Sequence, residues 1–365
     1  PPLYYLLQTP VFQLFDGRLE ALRLVSVLLG AGVVVLTYLV AGRVFPGRAR
    51  LALTATAIVA FFPQHVAMLA SVNNDSLAEL LIAAIVLSLF VVAGVGQEAA
   101  AGKKGPATWS LVGLGILLGL GFLTKVTVYT LAPVAGLVLL WRYWRRWPEL
   151  VRAGLLVFGP ALLIGLGWWV RNLAVYGGLD LLGTAAHNAI VVGQPRTAQW
   201  IAELGLGGML RAFFQTTFQS FWGQFGWMGV VMPAWVYRPL FAFTWLTLVA
   251  LLWLTVRRDG LRSVLQTRPE RPVAALLILG GTLAMSLAVY LTYNLTFVQH
   301  QGRYLFSALV PIGIGVALAW AALIRPLTKR YPAAAYLLPL GLAVCLVALD
   351  LVALYRFIIP ALSIG

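Results

Sequence analysis

Charge is scarce in this 365-residue chain. Asp, Glu, Lys and Arg make up 10% of it, against about 25% in a typical soluble domain. With 61% hydrophobic residues and a mean hydropathy of +0.91, too little polar surface remains to coat a water-facing globule. Cysteine is nearly missing: Cys345 stands alone inside an apolar block, which excludes an internal disulfide. Three histidines and one cysteine are too few for a protein-built zinc centre. The sequence also has no HExxH, CxxC, Walker loop, GxSxG or GxGxxG after a strand, so the common hydrolase, redox and nucleotide signatures are absent. Only 11 acidic residues face 26 basic ones, but the basic excess falls in short loops between apolar blocks. That distribution is one of membrane topology and excludes a nucleic-acid groove.

What is abundant is apolar sequence in long uninterrupted blocks, and about 18 or more such residues suffice for a helix to cross a bilayer. The expected fold is therefore an all-α polytopic transmembrane bundle. Ten spans are predicted, near 20–43, 50–72, 76–96, 107–123, 126–141, 153–170, 239–256, 272–293, 304–323 and 333–358. In alternation, the loops 43–50, 97–106, 141–152, 257–271 and 324–332 carry 17 of the 26 basic residues. The positive-inside rule makes these loops cytoplasmic. Residues 1–19, the 72–76 loop, the turn at Lys125, the long 171–238 segment and the 294–303 loop then face outward. Membrane-spanning blocks occupy 20–170 and 239–365.

The outward side carries few charges beside unusual neighbours: Asp16, Asp75, Glu79, Lys125, Arg171, Asp180, His187, His300 and Arg303. Charge at a membrane boundary is costly without a partner, so function is expected there. In "SVNNDSLAELL", Asn74 or Asp75 can cap a new helix. Asp75 can equally face an outer cavity as a base, a metal ligand or a hydroxyl-orienting group. Lys125 disobeys the charge rule and has no acidic neighbour in sequence. It either snorkels to the interface or pairs with an anion such as a lipid phosphate. Arg171 and Asn172 follow the interface anchors Trp168 and Trp169, where a cation suits a helix C-terminus. "FVQHQGRYLF" places Gln299, His300, Gln301, Arg303 and Tyr304 in one outer loop, and arginine offers a planar fork for phosphate. His65 reads as a hydrogen-bonded histidine in a proline-bent span. Gly113, Gly115, Gly119 and Gly121 read as helix-packing positions.

One amphipathic helix is predicted at 208–225, "GGMLRAFFQTTFQSFWGQ" and its continuation. Leu210, Phe213, Phe214, Phe218, Phe221, Trp222 and Phe225 keep the i, i+3, i+4, i+7 spacing. It suits either an interfacial helix with its apolar face down or a helix packed in an outer subdomain. Tyr4 and Tyr5, in the short apolar stretch "LYYLLQTPVFQLF", suit the membrane interface as part of a helix or turn.

Taken in order, "PPLYYLL", "NND", "LGFLTK", "WWVRNLAVYGG", "SFWGQFGW" and "QGRYLF" resemble the GT-C superfamily of polytopic glycosyltransferases. The resemblance is to bacterial members related to the protein O-mannosyltransferases and the lipid A aminoarabinose transferase, and runs from residue 1 to about 323. It implies an enzyme of the bacterial plasma membrane. Such an enzyme moves a sugar from a polyprenyl-phosphate carrier to a hydroxyl of a lipid, glycan or protein, on the extracytoplasmic face and with inversion. By this resemblance Asp75 is the second acidic position of the site, Lys125 is the carrier-phosphate lysine, and Arg303 stands near the same phosphate. Arg171, Tyr304, His300, Tyr4 and Tyr5 are further candidates for contact with the carrier. The principal base of these families precedes a Pro-Pro-Leu-like motif, a position that would lie upstream of Pro1 together with a first span. Divalent metal use varies across the superfamily, and membrane lipids are the only other partners implied. Ser307 departs from the proline that relatives tend to have. Two other classes stay open: a transporter or flippase for an anionic or glycan-linked lipid, and a non-catalytic assembly protein with the same fold.

Overall fold

The structure, a computed structural model, describes residues 1–95, 106–191, 193–256 and 272–363. Every apolar block of the sequence is helical. The helices are α1 (Leu3–Leu14), α2 (Leu19–Val44), α3 (Ala49–Ala60), α4 (Pro63–Leu69), α5 (Asp75–Ala93), α6 (Thr108–Phe122) and α7 (Leu131–Arg142). They continue with α8 (Trp147–Tyr176), α9 (Thr184–Ile190), α10 (Thr197–Trp222) and α11 (Ala234–Val256). The last are α12 (Val273–Thr296), α13 (Gly302–Leu323), α14 (Arg325–Arg330) and α15 (Ala334–Leu362). A two-stranded antiparallel hairpin, β1 (Gln224–Phe225) with β2 (Val230–Val231), follows α10.

Among the described residues, seven helices are long and apolar enough to cross a membrane, or eight if the bent pair α3–α4 is one span. The bend is 63°. Pro63 accounts for it, because a proline cannot donate the helical hydrogen bond and fits best at a helix start. Two further predicted spans are shorter. α6 has 15 residues, which reach about 22 Å of a hydrocarbon core about 30 Å thick. The segment at 126–142 opens with a 3₁₀ turn, Val126–Thr130, before α7.

α5 is the hub. Ala83, Ile85, Val86, Leu89 and Phe90 have no exposed surface, and α5 packs on α2, α6 and α7. The outer helices instead expose apolar stripes, such as Leu24, Leu28 and Val35 on α2 and Leu155, Leu162 and Leu166 on α8. Such stripes belong against lipid, where no backbone polar group needs water. This is an integral membrane protein. α6 and α8 approach closely because Gly115 has no side chain: a Cβ there would lie 2.2 Å from the Val157 carbonyl oxygen. Gly119 and Gly121 are similarly crowded, by Ile164 and Val128. Gly113 corrects the expectation, because nothing lies within 4 Å of its would-be Cβ.

The loops sort by charge onto the two ends of the bundle. At one end Arg142 donates to the Ala93 carbonyl (2.9 Å) and Arg43 to that of Val95 (3.5 Å). Arg50 lies 4.7 Å over the Tyr336 ring. Two of these arginines sit on carbonyls at the end of α5, where positive charge suits the helix dipole. Lys103, Lys104, Arg257, Arg258, Arg262, Arg268 and Arg271 lie outside the described residues. The opposite end joins α1 to the turn before α7, through Leu3 N–H to the Leu123 carbonyl (2.9 Å).

Three boundaries differ from expectation. α8 continues through Tyr176 instead of ending near 170, because Arg171 stacks on Trp168 and Tyr176 and Asn172 donates to the Leu181 carbonyl (2.8 Å). Arg171 is therefore not a helix-ending residue. The expected amphipathic helix starts earlier, at Thr197, and bends at Gly205, whose φ is 69°. It stops at Gly223, so Phe225 lies in the hairpin; the Gln224 N–H leaves the helix for Gln64 Oε1 (2.8 Å). This helix packs on the bundle end: Trp222 stacks on Phe62 (4.6 Å) and Phe213 on Tyr290 (5.7 Å), while Phe214 stays exposed.

Gly115→Ala should destabilise the protein by about 1–3 kcal/mol by forcing α6 from α8. Gly113→Ala should be neutral or stabilise by up to about 1 kcal/mol. Thermal unfolding in detergent of both variants beside the parent chain checks the pair.

Candidate functional site

Two ion pairs form among the described residues, and both belong to the first two turns of α5. Asp75 pairs with Lys125, which lies 50 positions later in the turn between α6 and α7. Four residues on, Glu79 Oε2 lies 2.5 Å from His65 Nε2 on α4. Neither Asn74 nor Asp75 caps α5 through its side chain. The Asp75 N–H donates to Asn73 Oδ1 (2.7 Å) and Asn74 Nδ2 donates to the Thr124 carbonyl (3.2 Å). The local turn is made by Asn73, which leaves the Asp75 carboxylate for Lys125.

A cleft opens above these pairs. Asp75, Glu79, Lys125, Thr127, Arg303 and Tyr304 line it, with Met68 and Phe306 among its apolar walls. Arg303 is placed by its neighbours. Its Nε donates to Gln301 Oε1 (2.7 Å), an Nη faces the Met68 sulfur (3.3 Å), and the guanidinium lies over Trp227 (5.4 Å) and Tyr304 (5.5 Å). It has no carboxylate partner among the described residues. Lys125 is balanced by Asp75 and Glu79 by His65, so Arg303 is the uncompensated charge of the cleft.

The backbone before Arg303 is locked to α10. Gly302 donates its N–H to Ser220 Oγ (2.7 Å), and Ser220 Oγ reaches the His300 carbonyl (3.3 Å). A Cβ on Gly302 would lie 2.3 Å from the Thr217 carbonyl oxygen, so only glycine permits this approach. The string "QGRYLF" thus has a steric reason for its glycine, supplied by a helix about 80 residues earlier.

The other expected site residues fall elsewhere. Tyr4 is not at an interface: it is fully enclosed, with its hydroxyl between Ser26 Oγ (2.8 Å) and Gln8 Nε2 (2.9 Å), and it fastens α1 to α2. Tyr5 is exposed and meets Tyr4 edge to face. Arg171 is exposed on α8, bound to the Tyr176 hydroxyl (3.2 Å), and is not among the residues lining the cleft. His300 is buried against the rings of Trp200 and Phe213, and its Nε2 has no partner among the described residues. Burial holds its pKa below the ordinary imidazole value. His300 is not among the residues lining the cleft. Trp227 is the ring neighbour of Arg303 that sequence spacing missed. It sits at the hairpin tip with φ of 53°, a left-handed conformation unusual for tryptophan, and "FGWMG" is its only local signal.

Asp75 is held by Lys125 and Glu79 by His65, and no group of three or more His, Cys, Asp or Glu converges among the described residues.

His300 gives a pH prediction. Its folded pKa is lowered by burial, so the unfolded chain binds the proton first as pH falls. The stability it contributes is complete above the ordinary imidazole value and is lost as pH drops below it, through about pH 6.5. The thermal midpoint of the parent chain should fall more between about pH 7.5 and 5.5 than that of His300→Phe. Parallel curves would show that His300 carries no such linkage.

Residues 1–176 match the family described as dolichyl-phosphate-mannose-protein mannosyltransferase. No curated protein matches the chain significantly. Among solved structures, the oligosaccharyltransferase of Archaeoglobus fulgidus in complex with Zn and sulfate aligns over 94% of this chain and 44% of its own, at 18% identity and a TM-score of 0.52. ArnT of Cupriavidus metallidurans bound to undecaprenyl phosphate aligns over 96% of this chain and 60% of its own, at 15% identity and a TM-score of 0.53. The chain thus spans between 44% and 60% of the length of these two structures. The chain shares the fold of these two structures, and its first 176 residues match the dolichyl-phosphate-mannose-protein mannosyltransferase family.

Proposed function

We propose that this chain carries the donor site of a polyprenyl-phosphate-dependent glycosyltransferase. The enzyme moves a sugar to a hydroxyl acceptor on the extracytoplasmic face of the membrane, with inversion at the anomeric carbon. The observation that carries the reading is the charge balance of the cleft. Asp75 with Lys125 and Glu79 with His65 are each neutral as pairs, and Arg303 remains as one unpaired cation. A sugar linked through a single phosphate to a polyprenyl chain bears one negative charge and matches it. The orientation follows from the arginine-rich loops, which lie at the far end of the bundle from the cleft and are cytoplasmic by the positive-inside rule.

In this reading the donor phosphate binds Arg303 and draws Lys125 from Asp75. The acceptor oxygen attacks the anomeric carbon from the face opposite the phosphate. The bond from that carbon to the phosphate oxygen breaks, and its electron pair stays on the polyprenyl phosphate. Lys125 and Arg303 stabilise that growing negative charge, so a strong general acid is not required. Asp75, freed from Lys125, is the carboxylate of this chain that can take the acceptor proton. Tyr304 and Trp227 hold the guanidinium of Arg303 flat in the cleft.

The bend between α3 and α4 does not favour a transporter. Transporter helices typically break near the midplane, between repeated halves. Here α4 is the last seven residues before the outer loop, and the sequence shows no repeat.

In the full-length protein, Lys125→Ala and Arg303→Ala should each lower kcat/KM for the lipid-linked donor by about 10²-fold, with folding retained. Transfer at parental rates by both variants would overturn the phosphate site. Asp75→Asn should lose transfer while keeping its thermal midpoint within a few degrees. Lost stability with normal specific activity would instead make Asp75 purely structural.

A further inference from the structure

Glu79 lies one helical turn beyond Asp75 on α5, deeper in the bundle, and opens on the same cleft. Behind it His65 has no exposed surface and is held at both ring nitrogens. Nδ1 lies 2.8 Å from the Val59 carbonyl oxygen and Nε2 lies 2.5 Å from Glu79 Oε2. A peptide carbonyl only accepts, so Nδ1 carries a hydrogen. The second contact needs a hydrogen as well, because two bare lone pairs repel at that distance. His65 and Glu79 therefore share one proton between Nε2 and Oε2, and the dyad is neutral wherever that proton sits. In either placement the other carboxylate oxygen, Oε1, bears no hydrogen and can only accept. Oε1 has no hydrogen-bond partner among the described residues, and it is not sealed from the cleft.

We infer that Glu79 is the sugar-recognising carboxylate of this site: its Oε1 accepts a hydrogen bond from a hydroxyl of the transferred sugar, and His65 is the positioning residue that fixes its orientation. This rests on the reading of the cleft as a donor-phosphate site. A hydroxyl is the fitting ligand because the dyad is neutral and Arg303 already makes the cleft positive, which leaves no net charge to hold a metal ion or an ammonium group. The spacing agrees. Lys125 and Arg303 stand at the rim with Asp75, and Glu79 is about 5–6 Å further in, one turn of helix. A phosphate at the rim thus brings a directly attached monosaccharide within reach of Glu79. Phe306, an apolar wall of the cleft, packs with its ring 5.6 Å from that of His65.

The test is equilibrium binding to the full-length protein in nanodiscs. The probes are undecaprenyl phosphate and undecaprenyl phosphate bearing glucose, galactose, mannose or N-acetylglucosamine. The parent protein should bind at least one sugar-linked form about tenfold more tightly than the bare carrier, as one well-made hydrogen bond to a charged group allows. The double variant His65→Leu with Glu79→Met removes both members of the dyad and leaves one buried acceptor, the Val59 carbonyl, without its His65 donor. It should bind the bare carrier within about twofold of the parent and lose the sugar increment. Should the double variant fail to bind the bare carrier, Glu79→Gln decides. A neutral acceptor is about half as strong, so the increment should shrink by about threefold or more. An increment that survives the double variant, is unchanged in Glu79→Gln, or is missing for every sugar in the parent overturns the inference. The underlying reading fails separately, if Lys125→Ala and Arg303→Ala leave affinity for the bare carrier unchanged.

Discussion

The ion pair between Asp75 and Lys125 is the contact around which the site is arranged. It joins the start of the most buried helix to the turn between the two shortest apolar segments, across 50 residues of chain. In a bundle walled by Leu, Val and Ile, a lone charge at that depth is costly, and a matched pair is tolerated. The pair therefore pins the α6–α7 turn over the mouth of α5. The backbone bond from Leu3 to Leu123 then hangs α1 on the same turn.

The cleft's remaining wall comes from the far end of the chain and is held by contact, not charge. Gly302 lies against Thr217 and Phe221 so closely that a methyl group would not fit, and Ser220 ties the backbone on both sides of Gln301. α10 and its hairpin thereby set the height of Arg303, and Trp227 and Tyr304 set its plane. α10 is thereby packed directly against the segment that carries Arg303, the cleft cation with no carboxylate partner among the described residues. Buried polar groups that stay satisfied only in one arrangement make such a joint stiff.

Much of the architecture was legible from the sequence because a bilayer permits little else. With no water to satisfy the backbone, long apolar blocks become helices, and the basic loops between them collect at one end. The motifs "NND", "LTK" and "QGRYLF" stood out for a related reason: each puts polar or charged residues at a membrane boundary. Their meeting in one cleft could not be read along the chain. Lys125 has no acidic neighbour in sequence and finds one through packing of α5 on α6. Tyr4 reads as an interface aromatic and is instead a core residue, because α1 lies against Ser26 of α2. Phe225 continues the helical spacing of α10, yet Gly223 and the claim of Gln64 on the next N–H turn the chain into a hairpin.

By itself, then, the sequence determined the class of molecule, the helical blocks, the sorting of charge between the two ends, and the residue types available for chemistry. These follow from composition and from spacing within each block, which are local quantities. Tertiary structure decided which charges neutralise each other and which stays unpaired. It committed Asp75 to Lys125, set His65 behind Glu79, buried His300 away from the cleft, and left Arg303 open beside Trp227. Those outcomes depend on distances between residues 14 to more than 200 positions apart. A charge's effect depends on what lies within a few ångströms of it, and only the packed bundle sets that.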